Sequence, residues 1–145
     1  MKAYRDFEND PVNFNYRRGA EFLAKLHDRG QHFVPIVDAA IYHPNPENAS
    51  DIYATYDRGT ATNSFMLNPD GSQYIGQVWP GYTVFPDFVG SGLNGTGAED
   101  WWKQEIINWH DKIPFDGLWI DSMQFLQVLV PDSYLPCLVL AFDSR

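Results

Sequence analysis

Two aspartates follow apolar segments of the kind that form buried strands. Asp38 comes after the apolar part of HFVPIVDAAI (residues 32–41), and Asp121 closes FDGLWID (residues 115–121). A carboxylate that ends an apolar strand is out of place in a core, although a helix-capping role is the alternative for Asp38. If the two strands are parallel, both carboxylates lie at the same end of the sheet, which in barrel proteins carries the active site. The pattern therefore predicts a site built on carboxylates.

The second feature that bears on function is the high content of aromatic residues. The chain has 5 Trp, 8 Tyr and 10 Phe. Aromatic rings stack on the apolar faces of sugars, while polar groups around them hydrogen-bond the hydroxyls, so a carbohydrate-binding cleft is one interpretation. An aromatic core is the other. Trp102, Ile106 and Trp109 recur at helical spacing, and we assign these two tryptophans and Trp101 to packing.

The charge balance restricts the partners that the chain can bind. The net charge is −9, from 10 Lys and Arg against 19 Asp and Glu. Nucleic-acid binding needs clustered cations to neutralise phosphates, and the sequence has no such cluster. The same balance disfavours an anionic membrane surface and is compatible with a neutral substrate.

The sequence predicts neither an internal disulfide nor a metal site. Cys137 is the single cysteine, and no Cys/His spacing suits a metal. We expect no cofactor. The four scattered histidines are interpreted as structural or solvent-facing: His27, His32, His43 and His110.

The apolar periodicity predicts helices and strands in alternation. The predicted elements are a helix over 17–29 with Gly30 as its C-cap, a buried strand over 32–41, a long excursion over 42–97 with a strand at 72–81, a helix over 95–112 and a buried strand over 115–121. Alternation of this kind indicates an α/β domain with a parallel sheet. A (β/α)8 barrel needs about 250 residues, so 145 residues supply the early strands of a partial TIM barrel only.

Three blocks identify a family. They are HFVPIVDAAI (32–41), VWPGYTVFPDF (78–88) and WWKQEIINWHDKIPFDGLWID (101–121), of which DGLWID is the most specific. From its start to Asp121 the chain resembles glycoside hydrolase family 31, and within it the fungal α-glucosidases. The resemblance implies a barrel that hydrolyses maltose-like α-glucosides with retention of configuration, a reaction that uses two carboxylates.

The resemblance also implies roles for four residues. Asp121 matches the catalytic nucleophile. Asp38 matches a position that hydrogen-bonds the terminal glucose. Trp79 and Trp119 match aromatic walls of the glucose pocket. Three further aspartates are assigned to turns, capping and structure: Asp87, Asp100 and Asp116.

The resemblance stops after Asp121. The family continues with Met, then Asn or Ser, then Glu, whereas this chain reads Ser122-Met123-Gln124. We therefore divide the chain into a partial catalytic barrel (1–121) and a tail unlike the family (122–145). Ser122-Met123 can be encoded by AGT-ATG, which contains GTATG, a common start of fungal introns, so translated intron is our hypothesis for the tail. We expect Met1 to be an internal methionine of the family, which makes the chain truncated at both ends.

The truncation has consequences for activity. The family's acid/base carboxylate, a transition-state Arg and a pocket His match no residue here, so we expect the isolated chain to be inactive. Two further interpretations stay open: a carbohydrate-binding fragment without catalysis, and a gene-model artefact. Related transglycosylases, α-xylosidases and lyases share these motifs, and the oligomeric state is not determined by the sequence.

The expected location of the parent protein is extracellular. Two glycosylation sequons, Asn48-Ala49-Ser50 and Asn94-Gly95-Thr96, lie in loop-like sequence, as acceptor sites require. The charged start MKAYRDFEND lacks the apolar region of a signal peptide.

Overall fold

A computed structural model describes residues 2–89 and 97–121 together with the backbone of one strand at 138–141. Within these residues the helices are α1 (Tyr16–His27), α2 (Ala54–Ala61) and α3 (Ala98–His110). The strands are β1 (Ile36–Asp38), β2 (Ile41–Tyr42), β3 (Gly76–Val78), β4 (Gly81–Val84), β5 (Gly117–Asp121) and β6 (Leu138–Ala141). The predicted sequon at Asn94 and most of the tail over 122–145 lie outside the described residues.

The chain divides into two compact units. The first comprises Met1–Glu8 and Ala40–Trp109, and the second comprises Asn9–Ala39 and His110–Arg145. The second unit contains a sheet in the order β1-β5-β6, and the first contains a sheet in the order β2-β4-β3. Each unit is therefore assembled from segments that are distant in sequence.

In the second unit β1 and β5 are parallel, and β6 pairs antiparallel with β5. The parallel pair confirms the predicted α/β arrangement. The three described strands of this sheet form no closed barrel, which agrees with a partial barrel.

Helix α1 precedes β1 and has well-formed caps. The Asn15 side chain accepts a hydrogen bond from the Arg18 N–H at 2.9 Å, as an N-cap residue does. At the other end Gly30 has φ +68°; its N–H bonds to the His27 carbonyl, and the Gln31 N–H bonds to the Leu26 carbonyl. This is the Schellman pattern, which glycine allows because it has no Cβ, and it confirms Gly30 as the predicted stop signal.

The predicted buried strand over 32–41 is wrong in its extent. Strand β1 covers only Ile36–Asp38, and Ile41 starts β2 in the sheet of the first unit. The Asp116 N–H donates to the Phe33 carbonyl, and the Trp119 N–H donates to the Pro35 carbonyl. Pro35 itself has no N–H, so it cannot donate a hydrogen bond that would extend the pairing of β1 with β5. Within β1, Val37 is fully buried while Ile36 is 38% exposed, and successive side chains of a strand point to opposite faces. Asp38, at the end of the strand, is buried as well.

The first unit gives structure to the predicted excursion over 42–97. The strand expected at 72–81 is present as β3, and β4 follows it in an antiparallel hairpin. Helix α2 was not predicted: its N-cap, Tyr53, makes no side-chain capping bond, and its short sequence has no apolar periodicity. The helix is instead held by tertiary contacts. Thr55 and Arg58 both bind the carboxylate of Glu105 on α3.

Helix α3 confirms the predicted apolar stripe. It has Glu99 and Asp100 in its first turn, where acidic groups suit the helix dipole. The tryptophans assigned to packing are all buried, as is Ile106: Trp101, Trp102 and Trp109. Among the described residues, no helix has the length and apolar character needed to cross a bilayer.

Candidate active site

Asp38 and Asp121 are register partners in the parallel pair of β1 and β5. The pairing aligns Ile36 with Trp119, Val37 with Ile120 and Asp38 with Asp121. Adjacent strands lie about 4.8 Å apart, so the two aspartates start from neighbouring Cα positions at the carboxyl end of the sheet. Asp38 is 6% exposed and Asp121 is partly exposed. The structure thus brings together the two carboxylates that the sequence singled out.

Trp119 lies on the same face of the sheet as Asp121. Residues two apart in a strand share a face, and Trp119 is 41% exposed, whereas the intervening Ile120 is buried. Across the pair, Ile36 is the register partner of Trp119 and is also exposed. This face therefore combines an exposed indole and an aliphatic side chain with two carboxylates at its end, which suits a ligand with apolar faces and hydroxyl groups.

The polar contacts of Asp116 with Phe33, His27 and His32, which we call the Asp116 clamp, position the start of β5. Asp116 Oδ2 accepts a hydrogen bond from the Phe33 N–H at 2.8 Å and lies 2.9 Å from Nε2 of His27, while its Oδ1 lies 3.2 Å from Nδ1 of His32. The Asp116 N–H in turn donates to the Phe33 carbonyl. The clamp joins the end of α1, the approach to β1 and the start of β5, and so holds the register that aligns Asp38 with Asp121.

The clamp also changes the acidity of its carboxyl group. Burial would raise the pKa of Asp116, but the Phe33 N–H and the two histidines outweigh it and lower the pKa to about 2. The carboxylate is therefore ionised under ordinary conditions and acts as a structural anion. This confirms the structural assignment of Asp116 and of its partners His27 and His32.

Trp79 belongs to the first unit. It follows β3 and, with Pro80, forms the tip of the β3–β4 hairpin, whose last register pair is Val78 with Gly81. Gly81 has φ +101°, a conformation that a side chain would strain. The Trp79 indole is 48% exposed, and the Tyr4 ring lies against it with ring centroids 5.3 Å apart. Sequence reasoning did not find Tyr4, because no local pattern joins it to Trp79.

The described residues contain no cluster of His, Cys, Asp or Glu that could hold a metal ion.

Comparison with protein families places these residues in a known context. A family model described as the glycosyl hydrolases family 31 TIM-barrel domain matches residues 1–134. The matched region includes both strands that end in aspartate, and the hairpin that carries Trp79.

Two curated relatives are similar in sequence to most of this chain. The chain is 58% identical to the α-glucosidase of Aspergillus niger over 124 residues, which are 86% of this chain and 12% of the relative. It is 48% identical to glucoamylase 1 of Candida albicans over 122 residues, which are 83% of this chain and 12% of that protein. The chain therefore spans about one eighth of the length of these relatives.

Solved structures share the fold. A crystal structure of the glucosidase II alpha subunit in a Glc1Man2-bound form matches with a TM-score of 0.57 and covers 71% of this chain and 10% of that one. The identity is 23%, so this likeness concerns the fold alone.

Proposed function

Because the chain belongs to glycosyl hydrolase family 31, we propose that residues 1–121 form part of the catalytic barrel of a retaining α-glucosidase and that Asp121 is its nucleophile. The register pairing of Asp38 with Asp121 is the observation that carries the proposal. It brings a second carboxylate next to the proposed nucleophile at the carboxyl end of a parallel strand pair, where barrel enzymes have their active sites.

The proposed chemistry assigns a separate role to each residue of this edge. Asp121 attacks the anomeric carbon of the terminal glucose and forms a covalent glycosyl–enzyme intermediate, while a second carboxyl group protonates the departing oxygen. Water then hydrolyses the intermediate and configuration is retained. Asp38 accepts hydrogen bonds from glucose hydroxyls, and Trp119 provides an apolar wall for the sugar ring.

The acid/base is not assigned to any residue of this chain. Asp38 is reserved for substrate hydroxyls, and the family's acid/base, Arg and His positions match nothing in the sequence. Without a proton donor for the leaving group, a factor of about 10²–10⁴ in rate is lost. The proposal therefore includes the absence of measurable hydrolysis by the isolated chain.

The proposed substrates are maltose-like α-glucosides. The α-glucosidase and glucoamylase names of the relatives support this class, and the exposed indoles of Trp79 and Trp119 suit a neutral sugar. The parent protein is proposed to be extracellular and glycosylated. Asn48 supports this, because it is exposed in a turn in which its Oδ1 accepts hydrogen bonds from the N–H and hydroxyl of Ser50.

The decisive experiment tests residues 2–121 within the complete barrel of a relative. Residues 2–121 replace the matching segment of the Aspergillus niger α-glucosidase, to which they are closely similar. We expect the chimaera to hydrolyse p-nitrophenyl α-glucoside, and Asp121→Gly to lower kcat by at least about 10³-fold. Added azide should enter the space left by the carboxylate and convert α-glucosyl fluoride into β-glucosyl azide and fluoride.

The matched control is Asp100→Asn, a change of an exposed aspartate in the first turn of α3. It should leave the activity of the chimaera within about twofold. An active chimaera that keeps its activity after Asp121→Gly would refute the assignment of the nucleophile.

Carbohydrate binding without catalysis is the second candidate function. The exposed Trp79 and Trp119 favour it, because a sugar-binding surface needs accessible rings and no acid/base. Calorimetric titration of the isolated chain with maltose, on protein that unfolds cooperatively, tests this candidate directly.

The proposed domain division ends the catalytic segment at Asp121 and treats 122–145 as translated intron. The family match extends to residue 134, so the transcript decides the matter. A spliced transcript that restores Met directly after Asp121 supports the proposal, and one that is contiguous through the tail refutes it.

A further inference from the structure

Tyr4 and Trp79 form a solvent-exposed aromatic pair in the first unit. Their ring centroids are 5.3 Å apart and their planes meet at 76°, which is the favoured edge-to-face arrangement. Tyr4 is 60% exposed and Trp79 is 48% exposed. These exposed fractions mean that part of each ring surface is accessible to a ligand.

The backbone at Tyr4 is in a conformation that most residues avoid. The Arg5 N–H donates to the Lys2 carbonyl at 3.0 Å, which closes a four-residue turn. Both central residues have positive φ, +47° at Ala3 and +61° at Tyr4. Turns of this kind favour Asn and Gly, and a residue with a larger side chain at positive φ is strained. Strained backbone of this kind is often found at functional sites; the buried Phe7 also has a positive φ, of +61°.

The residues that follow the turn hold it in place. Arg5 forms an ion pair with Asp51 and lies over the rings of Tyr42 and Tyr53. The Tyr53 hydroxyl donates to the Asp6 carbonyl at 2.9 Å. These contacts fix the chain directly after Tyr4, whose ring lies against Trp79.

Phe7 completes this anchor, because it packs edge-to-face on Trp102 and Trp109 of α3. The strained turn is therefore attached to the core of the first unit, and Tyr4 is its exposed end. Phe7 is buried, whereas Tyr4 is exposed.

We propose that Tyr4 is a positioning residue for glucoside binding: its ring holds the Trp79 indole at a fixed angle, and the pair presents an apolar surface and a phenol hydroxyl to a glucosyl unit. This inference rests on the proposed function, in which the exposed Trp79 indole suits a neutral sugar, and it adds a residue that neither the motifs nor the family match assigns. The ligand class is a neutral α-glucoside, because aromatic faces stack on sugar rings and the chain carries a net charge of −9.

The variant that tests the proposal is Tyr4→Asn. Asparagine removes the ring but accepts positive φ far better than tyrosine, so the turn should be at least as stable. The 145-residue chain is titrated with maltose while the indole Nε1–H resonance of Trp79 is followed by NMR, with the resonance assigned from Trp79→Phe. Tyr82→Ala is the control, because Tyr82 is a similarly exposed tyrosine of the same unit.

We expect the wild type and Tyr82→Ala to show the same saturable shift of the Trp79 resonance. Tyr4→Asn should weaken maltose binding by about 3- to 10-fold while its Tm is equal to or higher than that of the wild type. A purely structural tyrosine would lower the Tm and leave the affinity unchanged.

Equal affinity of Tyr4→Asn and the wild type overturns the inference and leaves the proposed function standing. The absence of a saturable shift in the wild type also overturns the inference for this chain. The catalytic proposal is judged separately by the azide rescue of the chimaera, so the two failures are distinguishable.

Discussion

Asp38 and Asp121 face each other as register partners at the carboxyl ends of two parallel strands. The pairing would let two residues far apart in sequence contact one sugar, as proposed above, since the strand spacing of about 4.8 Å is smaller than a glucose ring with its hydroxyls. It also separates their expected roles, because the more accessible Asp121 can reach a reacting carbon and the buried Asp38 can orient hydroxyls.

The two aspartates should respond differently to chemical rescue. In the chimaera, Asp38→Gly should lower kcat/KM by about 10²-fold or more, because a hydrogen-bond acceptor for the substrate is lost. Azide should restore turnover to Asp121→Gly and not to Asp38→Gly, since only the nucleophile's removal leaves a site for attack on the anomeric carbon. Rescue of Asp38→Gly alone would reverse the two assignments.

The isolated 145-residue chain should release no glucose from maltose above the uncatalysed rate. The physical reason is that the nucleophile has no assigned acid/base partner, and protonation of the leaving group is lost. Turnover at ordinary enzyme rates that disappears in Asp121→Asn would contradict this prediction.

The Asp116 clamp should make the free energy of unfolding of the chain depend on pH in the acid range. Its folded pKa of about 2 lies below the ordinary value of 3.8, so its contribution is fully present above about pH 4 and is lost as the pH falls towards 2. The shift corresponds to at most about 2 kcal/mol. Asp116→Asn should lower the free energy of unfolding at neutral pH by about 1–2 kcal/mol and flatten its pH dependence between 4 and 2.

Asp111→Asn is the control for this measurement, since Asp111 is an exposed aspartate of the same unit. Denaturant titrations at several pH values should show that it keeps the acid dependence of the wild type. An unchanged pH profile in Asp116→Asn would show that the clamp does not contribute.

The ion pair between Arg58 and Glu105 should stabilise the first unit. Arg58 binds both carboxylate oxygens, with Nε 2.5 Å from Oε1 and Nη2 2.7 Å from Oε2, and the Glu105 side chain is 2% exposed. Arg58→Met leaves this carboxylate buried without its cation and should cost about 2–4 kcal/mol in urea unfolding. Arg58→Met combined with Glu105→Gln should recover part of the loss.

The comparison is Arg17→Met, which breaks the exposed ion pair of Arg17 with Glu21 on α1. Exposed helical pairs contribute about 0.3–0.5 kcal/mol, so this variant should unfold nearly as the wild type does. Equal losses from Arg17→Met and Arg58→Met would mean that burial of Glu105 does not decide the energetics.

Asn48 should be glycosylated when the chain passes through a eukaryotic secretory pathway. Its side chain is exposed and its turn is held by Ser50, which leaves the acceptor accessible to modification. In an Asn94→Gln background, an endoglycosidase should reduce the mass of the wild type and of Ser50→Thr. Asn48→Gln and Ser50→Ala should show no such change, and a glycan that survives in both would place the modification elsewhere.

Several local features of this protein could be predicted from the sequence alone. The apolar runs before Asp38 and Asp121, the stripe of Trp102, Ile106 and Trp109 on α3, and the stop at Gly30 were all predicted. They depend on periodicity and backbone conformation within a few residues, which a single sequence displays directly. The motif around Asp121 added the family, because its residue types and order are specific.

The tertiary structure decided which distant residues meet. It set the register of Asp38 with Asp121 and brought Tyr4 into contact with Trp79. It also brought Arg58 into contact with Glu105, and this contact stabilises α2, which its own sequence does not predict. It also limited β1 to three residues, because the backbone of Pro35 cannot continue the ladder. Such pairings depend on the free energy of packing between elements far apart in the chain, and no local pattern records that free energy.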